Sequence, residues 1–152
     1  MRKDKFNEII DFAIDREKEA VRFYQDLQKK AKFAQQLDML KDLEQMEKGH
    51  IKILDGFRKK GAKKVKPKEK EIQDLQISDY LVEKEPTEDM DYQDILIIAM
   101  KREEASTKLY KDLAQKVGDE ESQKLFERLS QEEAGHKLKF ETLYDEEILK
   151  EN

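Results

Sequence analysis

Two histidines occur in this 152-residue chain, and each stands three residues after a glutamate, in Glu47-Lys48-Gly49-His50 and Glu133-Ala134-Gly135-His136. On a helix, that spacing puts carboxylate and imidazole one turn apart on the same face. Together they suit iron, manganese or zinc. Two more glutamates recur with them: Glu17 lies 30 residues before Glu47, and Glu103 lies 30 residues before Glu133. Glutamate is plentiful here, so the phase of these residues carries the information.

That phase follows the apolar residues. One stripe runs Phe6, Ile10, Ala13, Glu17, Ala20, Tyr24, Leu27, Ala31, and a second runs Leu40, Leu43, Glu47, His50, Leu54, Phe57. A third sets Glu103 between Ala99 and Ser106 and continues to Leu113 and Val117. A fourth sets Glu133 and His136 among Phe126, Leu129, Phe140 and Leu143. Steps of three and four mark the inward seam of a packed helix. Six ionisable side chains are therefore expected in an apolar interior. An isolated buried carboxylate costs several kcal/mol, and neighbouring ones repel. No lysine or arginine shares the seam, so multivalent cations are the expected partners. One Glu from each of two helices, with Glu-x-x-His from each of the other two, is a known two-metal arrangement.

Tyr24 and Tyr110 each follow a seam glutamate by seven residues, two turns along the same face. As packing residues their hydroxyls need a partner; behind a metal site they would orient a ligand carboxylate. Arg16 and Arg102 adjoin the glutamates but lie off the seam, where surface pairing is expected.

The elements that position these groups follow from the same stripes. Helix A is expected over about 4–31, B over 36–60, C over 92–117 with Asp91 as N-cap, and D over 120–149 with Asp119 as N-cap. The break between A and B falls at Lys32–Gln35, Pro86 precedes helix C, and Gly118 ends it. Short A–B and C–D links imply two antiparallel hairpins. The crossover 61–90 joins them, with a short helix expected at Ile77–Glu83. The halves match at a constant offset of 86 residues: Arg16, Glu17, Tyr24 and Asp26 fall on Arg102, Glu103, Tyr110 and Asp112, and Leu43, Glu47, Gly49 and His50 on Leu129, Glu133, Gly135 and His136. The expected fold is all-α, a single domain over 1–152 built as an antiparallel four-helix bundle.

Composition agrees. Charged residues make up 44% of the chain and hydrophobic ones 37%, with five Gly and two Pro, which favours long helices with solvated outer faces. Mixed charges summing to -5 do not form a nucleic-acid footprint. No apolar run approaches the roughly 20 residues of a membrane span, and the charged stretch Met1–Glu8 leads into no signal-peptide core. The absence of cysteine excludes disulfides and thiolate ligands from these residues. A cytoplasmic location is the expectation. Eight Lys or Arg against one Glu crowd into Arg58–Lys70, either a solvated loop or a docking patch for an acidic redox partner.

At Glu17…Tyr24, Glu47-x-x-His50, Glu103…Tyr110 and Glu133-x-x-His136 the sequence resembles the rubrerythrin branch of the ferritin-like superfamily. The resemblance implies two iron ions, with manganese or zinc as alternatives. Glu47 and Glu133 would bridge them, Glu17 and Glu103 would be terminal ligands, and His50 and His136 would each cap one ion. Two departures stand out. Rubrerythrins proper carry a cysteine-ligated rubredoxin domain, which no residue here can build, so electrons come from an external donor. Rubrerythrin peroxidases also carry an extra carboxylate where this chain has Ser106, which leaves a six-ligand site. The implied activity is a di-iron oxidoreductase reducing peroxide or dioxygen, as a homodimer. A ferroxidase or iron-sequestering protein is the alternative reading, and a non-enzymatic helical adaptor a second.

Overall fold

A computed structural model of the chain describes residues 5–30, 34–82 and 91–151. Helix α1 spans Lys5–Lys30 and α2 Ala34–Val65. A short α3, Glu69–Gln73, and a 3-10 turn, Ile77–Tyr80, precede α4 at Tyr92–Gln115 and α5 at Glu120–Glu151. The residues expected to separate A from B (up to Phe33), together with Ala31, Glu83 and Pro86, lie outside the described residues. Among the described residues, no helix is long and apolar enough to cross a membrane. The fold class is all-α.

Two compact units divide the chain. The first holds α1, α2, α3 and residues 116–122; the second holds the 3-10 turn, α4 and α5 from Gln123. In the first, α1 and α2 form an antiparallel hairpin. Glu8 in the first turn of α1 and Lys29 and Lys30 in its last complement the helix dipole. The buried stripe includes Phe6, Ile10, Ala13, Tyr24 and Leu27, with Leu40, Leu43, Leu54 and Phe57 on α2. It is wider than a single seam, because Ile9, Val21 and Phe23 are buried too while Ala20 is only half-buried. Polar clamps hold the register at both ends. The Arg58 Nε donates to Asp11 Oδ1 at 2.7 Å. At the other end the Gln25 and Gln28 amides donate to the two Glu44 oxygens at 3.2 and 2.7 Å. Lys48 adds a 2.8 Å ion pair, and together Lys48 and Gln28 pull the Glu44 carboxyl down to about 2.

Helix α2 continues past Lys60 to Val65, five residues beyond the expected end, but with a kink. Gly61 sits at φ 72°, ψ 173°, a conformation only glycine adopts readily. The chain then pairs Pro67 with Val117 in an isolated antiparallel bridge. The Lys68 amide donates to the Lys116 carbonyl at 2.7 Å, and the Gly118 amide to the Lys66 carbonyl at 2.6 Å. These bonds claim the backbone that a longer α4 would need, so that helix ends at Gln115 and Val117 is buried outside it. Asp119 accepts the Ser122 amide at 3.1 Å and so caps α5.

In the second unit, α4 and α5 run antiparallel. Asp91 caps α4 through the Asp94 amide at 2.9 Å. The Thr107 hydroxyl donates to the Glu103 carbonyl at 2.8 Å, and the Ser130 hydroxyl reaches the Thr107 carbonyl at 3.0 Å, which fixes one helix against the other. The 3-10 turn covers less than the helix expected at Ile77–Glu83. Its buried Tyr80 donates to Asp112 Oδ2 at 2.7 Å and lies under the Lys108 ammonium, 5.7 Å from the ring centroid.

Two glycine substitutions should have opposite signs. A Cβ at Gly118 would meet the Lys66 carbonyl oxygen at 2.9 Å, whereas one at Gly56, inside α2, meets nothing within 4 Å. Gly118→Ala should lower stability by about 1–3 kcal/mol, and Gly56→Ala should raise it by roughly 0.5–1 kcal/mol, read as urea midpoints.

Candidate metal centre

Each hairpin buries a Glu, Glu, His triad. In the first, Glu17 comes from α1, and Glu47 and His50 from α2. Glu17 and Glu47 are 1% exposed and His50 2%. Nδ1 of His50 lies 3.4 Å from Glu17 Oε2 and 3.3 Å from Glu47 Oε1. One ligand atom from each of the three falls within 4.8 Å of the others. Such a cluster has the size and the donor chemistry to hold a small cation.

The second hairpin repeats the pattern. Glu103 comes from α4, Glu133 and His136 from α5, and all three are buried. Nδ1 of His136 is 3.6 Å from Glu103 Oε2, and this triad too offers three ligand atoms within 4.8 Å of one another. Its register is set by the Thr107 and Ser130 hydroxyl bonds, one turn from the glutamates on each helix. Sequence reading missed those two hydroxyls; their offset from the seam hides them in a helix surface.

Electrostatics in the first triad register the crowding. Burial, then repulsion from Glu47, raises the Glu17 carboxyl to about 8. Burial alone would depress the His50 imidazole, but its contacts with Glu17 and Glu47 prevail and raise it to about 10. In the metal-free protein, protons therefore do what a cation would do: they neutralise one carboxyl and charge the imidazole.

Tyr24 and Tyr110 are buried, at 2% and 1% exposure, two turns along from Glu17 and Glu103. The Tyr24 ring meets Phe23 edge-on at 6.1 Å. Ser106, on the face where an extra carboxylate would stand, is half-buried. Arg16 pairs with Glu19 at 2.7 Å and stacks over Phe12, 5.2 Å from its centroid.

A pH dependence follows with a definite sign. Glu17 holds its proton in the folded state between 4.5 and about 8, and His50 between 6.5 and about 10. Over those ranges the native protein binds more protons than the unfolded chain, so its stability falls as pH rises. Melting temperature of the metal-free protein should decline from pH 5 to 9, most steeply between 6.5 and 8 where both groups act. Metal affinity should rise over the same interval, because loading expels those protons. Calorimetry with and without added manganese checks both slopes.

Comparison with curated proteins and with solved structures gives no match. The rubrerythrin family model matches residues 6–144, which take in both triads. With that match spanning most of its length, the chain belongs to the rubrerythrin family, a di-iron carboxylate branch of the ferritin-like superfamily.

Proposed function

We propose that this protein is a di-iron oxidoreductase that reduces peroxide with electrons from an external donor. The observation that carries the reading is the duplicated triad: the same three residue types, buried in each hairpin at a constant offset of 86 residues. Glu17, Glu47 and His50, with Glu103, Glu133 and His136, would hold the two metal ions. Four carboxylates and two imidazoles suit iron, and they also accept manganese or zinc. Two ferrous ions would supply one electron each, which with two protons converts hydrogen peroxide to two waters.

The chain's own contribution is positioning and exclusion. Both triads are almost wholly removed from solvent, which strengthens each electrostatic contact. Fixed helices hold the donors without reorganisation. Glu17 and His50 would give up protons as the metal loads, the cation taking over the charge balance that those protons provide in its absence. The buried Tyr24 and Tyr110, two turns along from Glu17 and Glu103, would orient ligand carboxylates through their hydroxyls. The half-buried Ser106 leaves the centre without a seventh ligand, so peroxide turnover should be slower than in relatives that carry one.

The test begins with elemental analysis of protein purified without chelators, expected to give two metal ions per chain. Ferrous protein mixed anaerobically with hydrogen peroxide should oxidise rapidly, and an electron donor should restore it. Failure to oxidise sinks the proposal. A large hollow assembly on size-exclusion chromatography, with iron accumulating beyond two per chain, would support iron storage instead. Metal at 100 times its dissociation constant adds about 2.7 kcal/mol, or roughly 5–10 °C in melting temperature at this size. That shift should appear in the parent and be lost in Glu47→Ala. Equal melting of both with metal would favour a non-enzymatic adaptor.

A further inference from the structure

The basic run Arg58–Lys70 is not a loose tail. It carries +7, while the rest of the chain carries -12. Its first three cations are taken up within the same unit: Arg58 by Asp11 at 2.7 Å, Lys59 by Asp55 at 3.2 Å, and Lys60 by Glu121 at 3.9 Å. Lys64, Lys66, Lys68 and Lys70 differ. All four are exposed, and among the described residues none of them joins an ion pair of the kind that holds the first three, although, behind the Ser122 hydrogen bonds, Lys60 and Lys66 both help to hold the Asp119 carboxyl below its usual range. Their backbone is held in place by the Pro67–Val117 bridge and the amide bonds to 116 and 118. A surface fixed beforehand loses little freedom on binding.

Lys66 adds a second observation. Its φ of 55° puts a lysine in the left-handed region, a conformation that glycine adopts without the Cβ strain. A strained backbone kept with a long cationic side chain on it marks a position where charge has a use.

What approaches this patch is constrained by the remainder of the surface. A long polyanion or an anionic membrane would also face the -12 of the rest of the chain. Among the described residues of the run, the large apolar side chain, Val65, is fully buried and gives a bilayer no anchor. A small acidic protein can cover the patch alone. The patch follows on from the helix that bears Glu47 and His50: Lys64, the first of the four, stands fourteen residues after His50 near the end of α2, beyond the kink at Gly61. We propose that Lys64, Lys66, Lys68 and Lys70 form the docking surface for a small acidic electron-carrier protein that reduces the metal centre. The inference rests on the oxidoreductase reading. Each encounter would pass one electron from the carrier, which is oxidised, to the iron that the triads would hold, so two encounters would serve each peroxide.

The experiment uses an acidic [2Fe–2S] ferredoxin as probe. Fluorescence anisotropy measures its binding, in the oxidised state, to metal-free parent protein and to the Lys64→Glu, Lys66→Glu, Lys68→Glu, Lys70→Glu variant. Stopped flow then measures oxidation of reduced ferredoxin by the ferric proteins. At low ionic strength the variant should bind and react at least about tenfold more weakly, with the difference vanishing near 0.5 M salt. Lys66→Gly should melt higher than the parent yet react about two- to threefold more slowly. Dithionite, which needs no docking, should reduce parent and variant alike. If dithionite-reduced parent fails to react with peroxide, the oxidoreductase reading falls while anisotropy still judges the docking surface. Parental ferredoxin affinity in the fourfold variant overturns the proposal, as does tighter binding of a DNA duplex or phosphatidylserine vesicles through the same lysines.

Discussion

Three ionisable side chains held within 4.8 Å of one another, almost out of reach of water, set the terms for the rest of each hairpin. Desolvation opposes every charge in the cluster, and like charges oppose one another. Protons can relieve that opposition, as Glu17 and His50 do, but they leave the folded state less stable as pH rises. A multivalent cation relieves it more completely. The hairpins read as devices for keeping donors in place against this repulsion. Apolar stripes supply the packing energy, and polar clamps at Glu44, Asp11 and Ser130 prevent the register from slipping away from the crowded position.

Those clamps lie just off the seam, and that explains what the sequence discloses and what it hides. The interior positions of Glu17, Glu47, His50, Glu103, Glu133 and His136 were legible because burial in a helix leaves a periodic trace. Asp91 and Asp119 were legible as caps because capping depends on local order along the chain. The Glu44 network was not, since glutamate beside two glutamines and a lysine is what any solvated helix face contains. Which of those side chains are drawn inward depends on the neighbouring helix.

The crossover was the least legible segment for a related reason. Its length alone announced a connection, but the pairing of Pro67 with Val117 depends on residues fifty apart in the sequence. Tyr80 is similar. Nothing in Ile77–Tyr80 signals a tyrosine whose hydroxyl reaches Asp112, whereas the corresponding Asp26 in the first half is largely exposed. The internal repeat thus preserves the chemistry more faithfully than the scaffolding.

That pairing of residues 67 and 117 also bears on the order in which the protein can assemble. Each hairpin closes over a short link and can zip from its own turn. The bridge closes a loop of about fifty residues, an entropic toll near 3.5 kcal/mol before any constant is added. Three backbone hydrogen bonds and the burial of Val65 and Val117 offset it only once the helices already hold their ends close. Loop-closure entropy thus makes the basic turn a costlier closure than either helical hairpin.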